Sequence, residues 1–137
     1  MHKIILTLKY WKSVLITAII LHLSFAPPSE FQGIPTFNNE DKLVHFLMYM
    51  GFTAVLLFDS YRIKSTKLSQ QTLILLCIVY PVLLGGIIEI LQPMFFFPRS
   101  ASWFDWFADS LGVLAGWYSM PLIYRKLGID IRLTSKN

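Results

Sequence analysis

The sequence predicts an all-α, polytopic membrane protein, folded as a bundle of four transmembrane helices. Of the 137 residues, 55% are hydrophobic and 15% are charged, whereas an average soluble domain is about 45–50% apolar and about 25% charged. The charged residues gather in short stretches between long apolar runs, which is the pattern of membrane loops. Because the length allows one domain, we expect residues 1–137 to form a single transmembrane domain.

Four apolar runs approach the length of about 17–25 residues that a membrane-spanning helix needs. They cover residues 10–26, 42–58, 72–92 and 103–124. Prolines follow the first and third runs, while polar or basic stretches follow the second and fourth. None of the runs alternates with a period of two, so helices are predicted rather than barrel strands. Pro81 in the third run predicts a kink there.

The first run also has features of a secretory signal peptide. Lysines precede it, and Ser24-Phe25-Ala26 resembles a small-x-small cleavage site. Pro27 directly after that site argues against cleavage, so we expect the run to remain as a helix. The orientation of the other three spans is the same in either case.

The lysines and arginines predict which side of the membrane each loop faces. Ten of the twelve lie in the N-terminal segment, in the segment between the second and third runs, and after the fourth run. Only Lys42 and Arg99 lie on the other side. Because cytoplasmic loops carry an excess of Lys and Arg, both termini are expected in the cytoplasm.

Polar side chains from three separate segments meet at the outer membrane level of this topology. Ionisable groups inside membrane spans are costly and usually face a bundle interior or a wet cavity. We therefore predict an outward-facing polar notch with these ligand-binding residues: Asp41, Lys42, His45, Tyr49, Glu89, Gln92, Arg99, Ser100, Ser102, Asp105 and Asp109. Arg99 is the expected bidentate partner of Glu89 or Asp105.

Structural roles are the alternative for several of these residues. Ser102 and Asp105 have the spacing of a capping box. Ser102 would cap the fourth helix, and the helix dipole would stabilise the negative charge of Asp105. Lys42 could snorkel to the interface. Gly112 and Gly116 have the spacing of close helix packing.

Three motifs in the chain resemble the VanZ-like family over residues 41–116. They read Asp41-Lys42-x-x-His45-Phe46-x-x-Tyr49, then Glu89-x-x-Gln92, then Pro98-Arg99-Ser100-x-Ser102-x-x-Asp105-x-x-Ala108-Asp109-x-x-Gly112-x-x-x-Gly116. One departure is Asp109, where the family often has Asn. The resemblance implies a small multi-pass protein of the bacterial inner membrane that acts near envelope lipids. The family's name comes from a protein linked to teicoplanin resistance, so the resemblance also implies a role in glycopeptide susceptibility, but it supplies no reaction.

Three functions are compatible with the notch. Binding of the polar head of an envelope lipid or a lipoglycopeptide is preferred, since cationic side chains there would contact an anionic group. An intramembrane enzyme would use Glu89 or Asp105 as general base, His45 as its partner and Arg99 to stabilise developing negative charge. A structural subunit of a larger complex would use the charges to fix helix register.

Partners and cofactors follow from the same residues. The lipid bilayer is the expected partner, nucleic acid is not expected, and the sequence does not specify an oligomeric state. A metal variant of the enzyme would use His45 with Glu89, Asp105 and Asp109. The sequence lacks HExxH or related spacing, so neither a metal nor another cofactor is predicted.

Overall fold

Helices account for the regular structure of the described residues, and this part of the chain contains no strand. The computed structural model describes residues 9–27, 29, 40–62, 68–95 and 100–129. Its four helices are α1 (Trp11–Phe25), α2 (Glu40–Arg62), α3 (Gln70–Phe95) and α4 (Trp103–Lys126). The all-helical prediction is therefore confirmed. Two of the helices, α2 and α3, are long and apolar enough to cross a membrane.

All four helices contribute to one core. Its buried members are Ile20, Tyr49, Phe52, Leu56, Leu57, Cys77, Ile88 and Val113. Large apolar side chains on the outer faces are exposed in every helix, for example Leu15, Leu47, Leu83 and Leu122. Helices that are apolar on both their inner and outer faces are typical of membrane spans.

Two glycines let α4 lie directly against α2. A Cβ atom on Gly112 would collide with the backbone oxygen of Phe46, and one on Gly116 would lie 2.9 Å from the backbone oxygen of Met50. Small residues four apart allow this kind of close backbone approach. The helix-packing interpretation of Gly112 and Gly116 is thus confirmed.

The second helix is longer than predicted. It begins at Glu40 and continues to Arg62, so Asp59 lies within the helix and is only 1% exposed. The prediction that the helix ends at Phe58 and that Asp59 opens a polar loop was wrong. Asp59 tolerates burial because Ser13 of α1 donates two hydrogen bonds to it. The fourth helix likewise runs two residues beyond the predicted end, to Lys126.

The third helix contains Pro81, where a kink was predicted, and Pro93, where the helix was predicted to stop. It continues through Pro93 to Phe95, so the prediction that it stops at Gln92 was wrong. Pro93 lies in the last turn, where its missing N–H removes a single bond shortly before the helix ends. A π-helical turn over Leu75–Val79 ends two residues before Pro81. A π turn is one of the recognised causes of a helix bend.

Candidate functional site

His45 of α2, Glu89 of α3 and Asp109 of α4 meet between the three helices. His45 Nδ1 lies 2.9 Å from Asp109 Oδ1. One nitrogen or oxygen atom from each of the three residues can be chosen so that all lie within 4.8 Å of one another. Glu89 is 5% exposed and Asp109 is 1% exposed. We call this group the His45 cluster.

Gly85 of α3 makes room for the His45 cluster. A Cβ atom at Gly85 would lie 2.7 Å from Asp109 Oδ2 and 3.2 Å from the hydroxyl oxygen of Tyr49. Since a contact of 2.7 Å is too short for a real Cβ atom, a side chain here would displace the carboxylate. Tyr49, which the sequence places on the same helix face as His45, therefore lies beside Asp109.

Glu89 also organises the N-terminus of α4. Its Oε2 accepts a hydrogen bond of 2.9 Å from the backbone N–H of Ser102, the N-cap residue of α4. Ser102 Oγ in turn accepts a bond of 3.2 Å from the N–H of Asp105. In a capping box, the acid three residues after the cap returns the bond to the cap N–H. Here Glu89 of α3 takes that place, so Asp105 is available for another partner.

Lys42 lies at the rim of the site. Its Nζ lies 2.9 Å from Asp41 Oδ2 and 3.6 Å from Asp105 Oδ1. The Lys42 side chain is 37% exposed, whereas the Asp105 side chain is largely buried. The ammonium group is thus positioned where buried carboxylates meet the surface of the bundle.

Two other predicted site residues have different surroundings, and a third lies outside the described residues. Gln92 Nε2 donates a bond of 3.0 Å to the backbone oxygen of Ser24, in the last turn of α1. Ser100 is exposed just before α4. Arg99, the expected partner of Glu89 or Asp105, lies outside the described residues.

Exposed apolar side chains surround the same end of the bundle. Each is at least 68% exposed: Met94, Phe95, Trp103 and Phe104. They flank the residues of α3 and α4 that carry Glu89 and Asp105. Phe96 and Phe97, which follow Phe95 in the sequence, lie outside the described residues.

A second buried polar group, which the sequence analysis missed, lies at the opposite end. Asp59 Oδ2 accepts bonds from the backbone N–H of Ser13 at 3.0 Å and from its hydroxyl at 2.8 Å. Lys12 Nζ lies 3.8 Å from Asp59 Oδ1. The orientation rule places the start of α1 and the end of α2 on one side of the membrane. That signal could have paired Asp59 with Lys12.

The two ends of the bundle differ in what they can do chemically. At the Asp59 end, the carboxylate oxygen Oδ2 is saturated by local donors, which indicates a structural role. In the His45 cluster, Glu89 Oε1 is buried and has no hydrogen-bond partner among the described residues. The His45 end can therefore accept a further ligand.

Comparison with known families gives one match. The VanZ/LLP1 family model matches residues 4–124, which include the His45 cluster and nearly all of the four helices. No curated protein and no solved structure matches the chain significantly. The family match extends the resemblance carried by residues 41–116 to the first helix.

Proposed function

We propose that this chain, which belongs to the VanZ/LLP1 family, is a four-span protein of the bacterial inner membrane that binds the polar head of an envelope lipid or a lipoglycopeptide. The head group would lie at the rim formed by Lys42 and Asp105, above the His45 cluster. The acyl chains would lie along the exposed apolar side chains beside it.

The contacts of α1 and α4 support four spans. Asp59 holds the first turn of α1 and Gln92 contacts its last turn, as expected of a helix that is retained in the folded protein. The glycine contact between α2 and α4 runs over two turns, so α4 follows α2 through the same depth. With α2 and α3 long enough to span, all four helices would cross together.

The charge distribution supports an orientation with both termini in the cytoplasm. Ten of the twelve lysines and arginines lie on the side of the two termini, and an excess of such residues marks the cytoplasmic side. The start of α2, the end of α3 and the start of α4 then face outward. This orientation would present Lys42 and the His45 cluster to the outer leaflet.

The observation that carries the proposal is the position of Lys42. It is partly exposed, it contacts the two acidic residues Asp41 and Asp105, and it lies at the end of the bundle that exposes Phe95 and Trp103. An anionic phosphate would compete for the ammonium group, since ionised donors and acceptors form the stronger hydrogen bonds. The aromatic side chains suit the level of lipid head groups.

Thermal stability in the presence of defined lipids tests this proposal. The purified protein in an uncharged detergent is heated with phosphatidylglycerol, with diacylglycerol, or with teicoplanin. Stabilisation is expected with phosphatidylglycerol or teicoplanin and not with diacylglycerol, which lacks the anionic head. Lys42→Ala should reduce that stabilisation, and Lys126→Ala at the far end of α4 should not.

Two outcomes would count against the proposal. One is equal stabilisation by all three compounds, which would indicate only an apolar surface. The other is an equal loss in Lys42→Ala and Lys126→Ala, which would indicate a general charge effect. A response to teicoplanin alone would support a role in glycopeptide susceptibility, to be checked by the growth of a deletion strain with the antibiotic.

A further inference from the structure

We propose that His45, Glu89 and Asp109 bind one divalent transition-metal ion, Zn²⁺ or Mn²⁺. This inference goes beyond the proposed function, because the ion can bind whether or not a lipid occupies the rim. It also departs from the expectation drawn from the sequence, in which the lack of HExxH or related spacing predicted no metal.

The geometry brings the three ligands close to one point. They come from three helices, and their donor atoms lie within 4.8 Å of one another. Two ligands of a tetrahedral zinc ion, each bound at about 2.1 Å, lie about 3.4 Å apart. The donor atoms therefore have to move together by up to about 1.4 Å, and coordination of the ion would replace the hydrogen bond between His45 and Asp109.

An unpartnered oxygen points to a missing ligand. Glu89 Oε1 is buried and lacks a hydrogen-bond partner in the described part of the chain, while Oε2 is held by Ser102. A buried acceptor without a partner is costly, and more so when it is charged. A cation between Glu89 and Asp109 would satisfy that oxygen.

The charges near the cluster favour a divalent ion. Glu89 and Asp109 together carry two negative charges when ionised, and His45 can supply at most one positive charge. Lys42 contacts Asp41 and Asp105 instead. A divalent cation would balance both carboxylates with His45 neutral, which is the form of histidine that binds metals.

The donor set selects the class of metal. One imidazole nitrogen with two carboxylate oxygens suits Zn²⁺ or Mn²⁺, whereas Mg²⁺ and Ca²⁺ are bound by oxygen ligands. Three protein ligands leave a coordination position for water or for an oxygen of a bound phosphate. The Ser102 N–H that holds Glu89 Oε2 would orient the ligand from outside the coordination shell.

Metal titration of the purified full-length protein tests the site. Protein stripped with chelator is titrated calorimetrically with ZnCl₂, MnCl₂ and MgCl₂. We expect one equivalent of Zn²⁺ or Mn²⁺, bound at least about tenfold more tightly than Mg²⁺. Glu89→Gln and Asp109→Asn should each weaken binding at least about tenfold, given that losing even an outer-shell partner costs about 10–100-fold. Glu40→Gln is the control, because it makes the same chemical change at the end of α2 that carries His45. It should leave the affinity for the metal unchanged.

A measurement on the unmodified protein tests the metal site even if the variants fail to fold. Diethyl pyrocarbonate modifies free imidazoles, and mass spectrometry reports each site separately. Metal should protect His45 and leave the exposed His22 reactive. Equal labelling of His45 with and without metal, absence of binding, or equal weakening in Glu40→Gln and Glu89→Gln would overturn the metal site. A lipid response that survives such a result would leave the proposed function in place.

Discussion

The backbone N–H of Ser13 donates a hydrogen bond of 3.0 Å to Asp59 Oδ2, the same oxygen that accepts a bond of 2.8 Å from the Ser13 hydroxyl. Ser13 is the third residue of α1, and the N-cap residue Tyr10 makes no capping bond with its own side chain. Asp59 of α2 thus does for α1 what an N-cap side chain normally does. Glu89 has the same relationship to α4, through the N–H of Ser102. Each buried acid therefore joins two helices and satisfies a helix terminus.

Replacing Ser13 with Ala should destabilise the protein because Asp59 loses one of its two donors on that residue. Loss of a capping interaction typically costs about 0.5–2 kcal/mol, and we expect a decrease of that size in the free energy of unfolding in detergent. Ser119→Ala is the matched control, since among the described residues the Ser119 hydroxyl bonds to the backbone oxygen of Ala115 in its own helix. Equal stability of the two variants would mean that the bond from the Ser13 hydroxyl to Asp59 contributes nothing to stability.

Replacing Gly112 with Ala should separate α2 from α4. The new Cβ atom would overlap the backbone oxygen of Phe46, and backbone atoms cannot move aside as a flexible side chain can. Forcing atoms into a packed interior costs about 1–3 kcal/mol. Gly51→Ala is the control, because its added Cβ has no described atom of another helix within 4 Å, and alanine favours a helix over glycine by about 1 kcal/mol. Thermal denaturation should show opposite signs for the two changes.

The sequence predicted the helices well because apolar length is a local property. Long apolar runs bounded by polar or proline-containing stretches predict four helices, and the described residues form four. The prediction failed where a distant contact decides the outcome. The residues next to Asp59 in the sequence predict a loop. The helix continues through Asp59 because the donors on Ser13 satisfy its buried carboxylate.

The candidate site shows the same division. The predicted topology put Asp41, His45, Glu89 and Asp109 at one end of the bundle, and the structure brings His45, Glu89 and Asp109 together. Their pairing does not follow from spacing. The contact of Glu89 with the Ser102 N–H was not predicted, because an N–H at a helix terminus cannot be recognised as a donor until the helix end is placed. The pairing with Arg99 stays a prediction, since Arg99 lies outside the described residues.

Replacing Trp106 with Phe should loosen the contact between α3 and α4. Trp106 Nε1 donates a bond of 2.9 Å to the backbone oxygen of Val82, and phenylalanine keeps an aromatic ring but lacks this donor. Interhelical hydrogen bonds in membrane proteins contribute about 0.6 kcal/mol on average, so a loss of roughly that size is expected. Trp103→Phe is the control, because it makes the same substitution at an exposed side chain. Its unfolding midpoint should stay close to that of the unmodified protein.

Cysteine labelling tests the orientation on which the outward-facing site depends. The chain has a single cysteine, Cys77, and it is buried, so an introduced cysteine reports its own location. Ser100 precedes α4 and Leu127 follows it, and both are exposed. A membrane-impermeant maleimide on intact cells should label Ser100→Cys, whereas Leu127→Cys should react only after the membrane is permeabilised.

The pattern of labelling separates two ways in which that topology could be wrong. Labelling of Leu127→Cys alone on intact cells would mean that the bundle has the opposite orientation. Lys42 and the His45 cluster would then lie at the cytoplasmic face, where outer-leaflet lipids could not reach them. Labelling of both positions from outside would mean that α4 does not cross the membrane. Unmodified protein, with only the buried Cys77, sets the background for each comparison. Because a metal ion could reach the His45 cluster from either side, an inverted topology would remove the lipid proposal while the metal site would still be tested by titration.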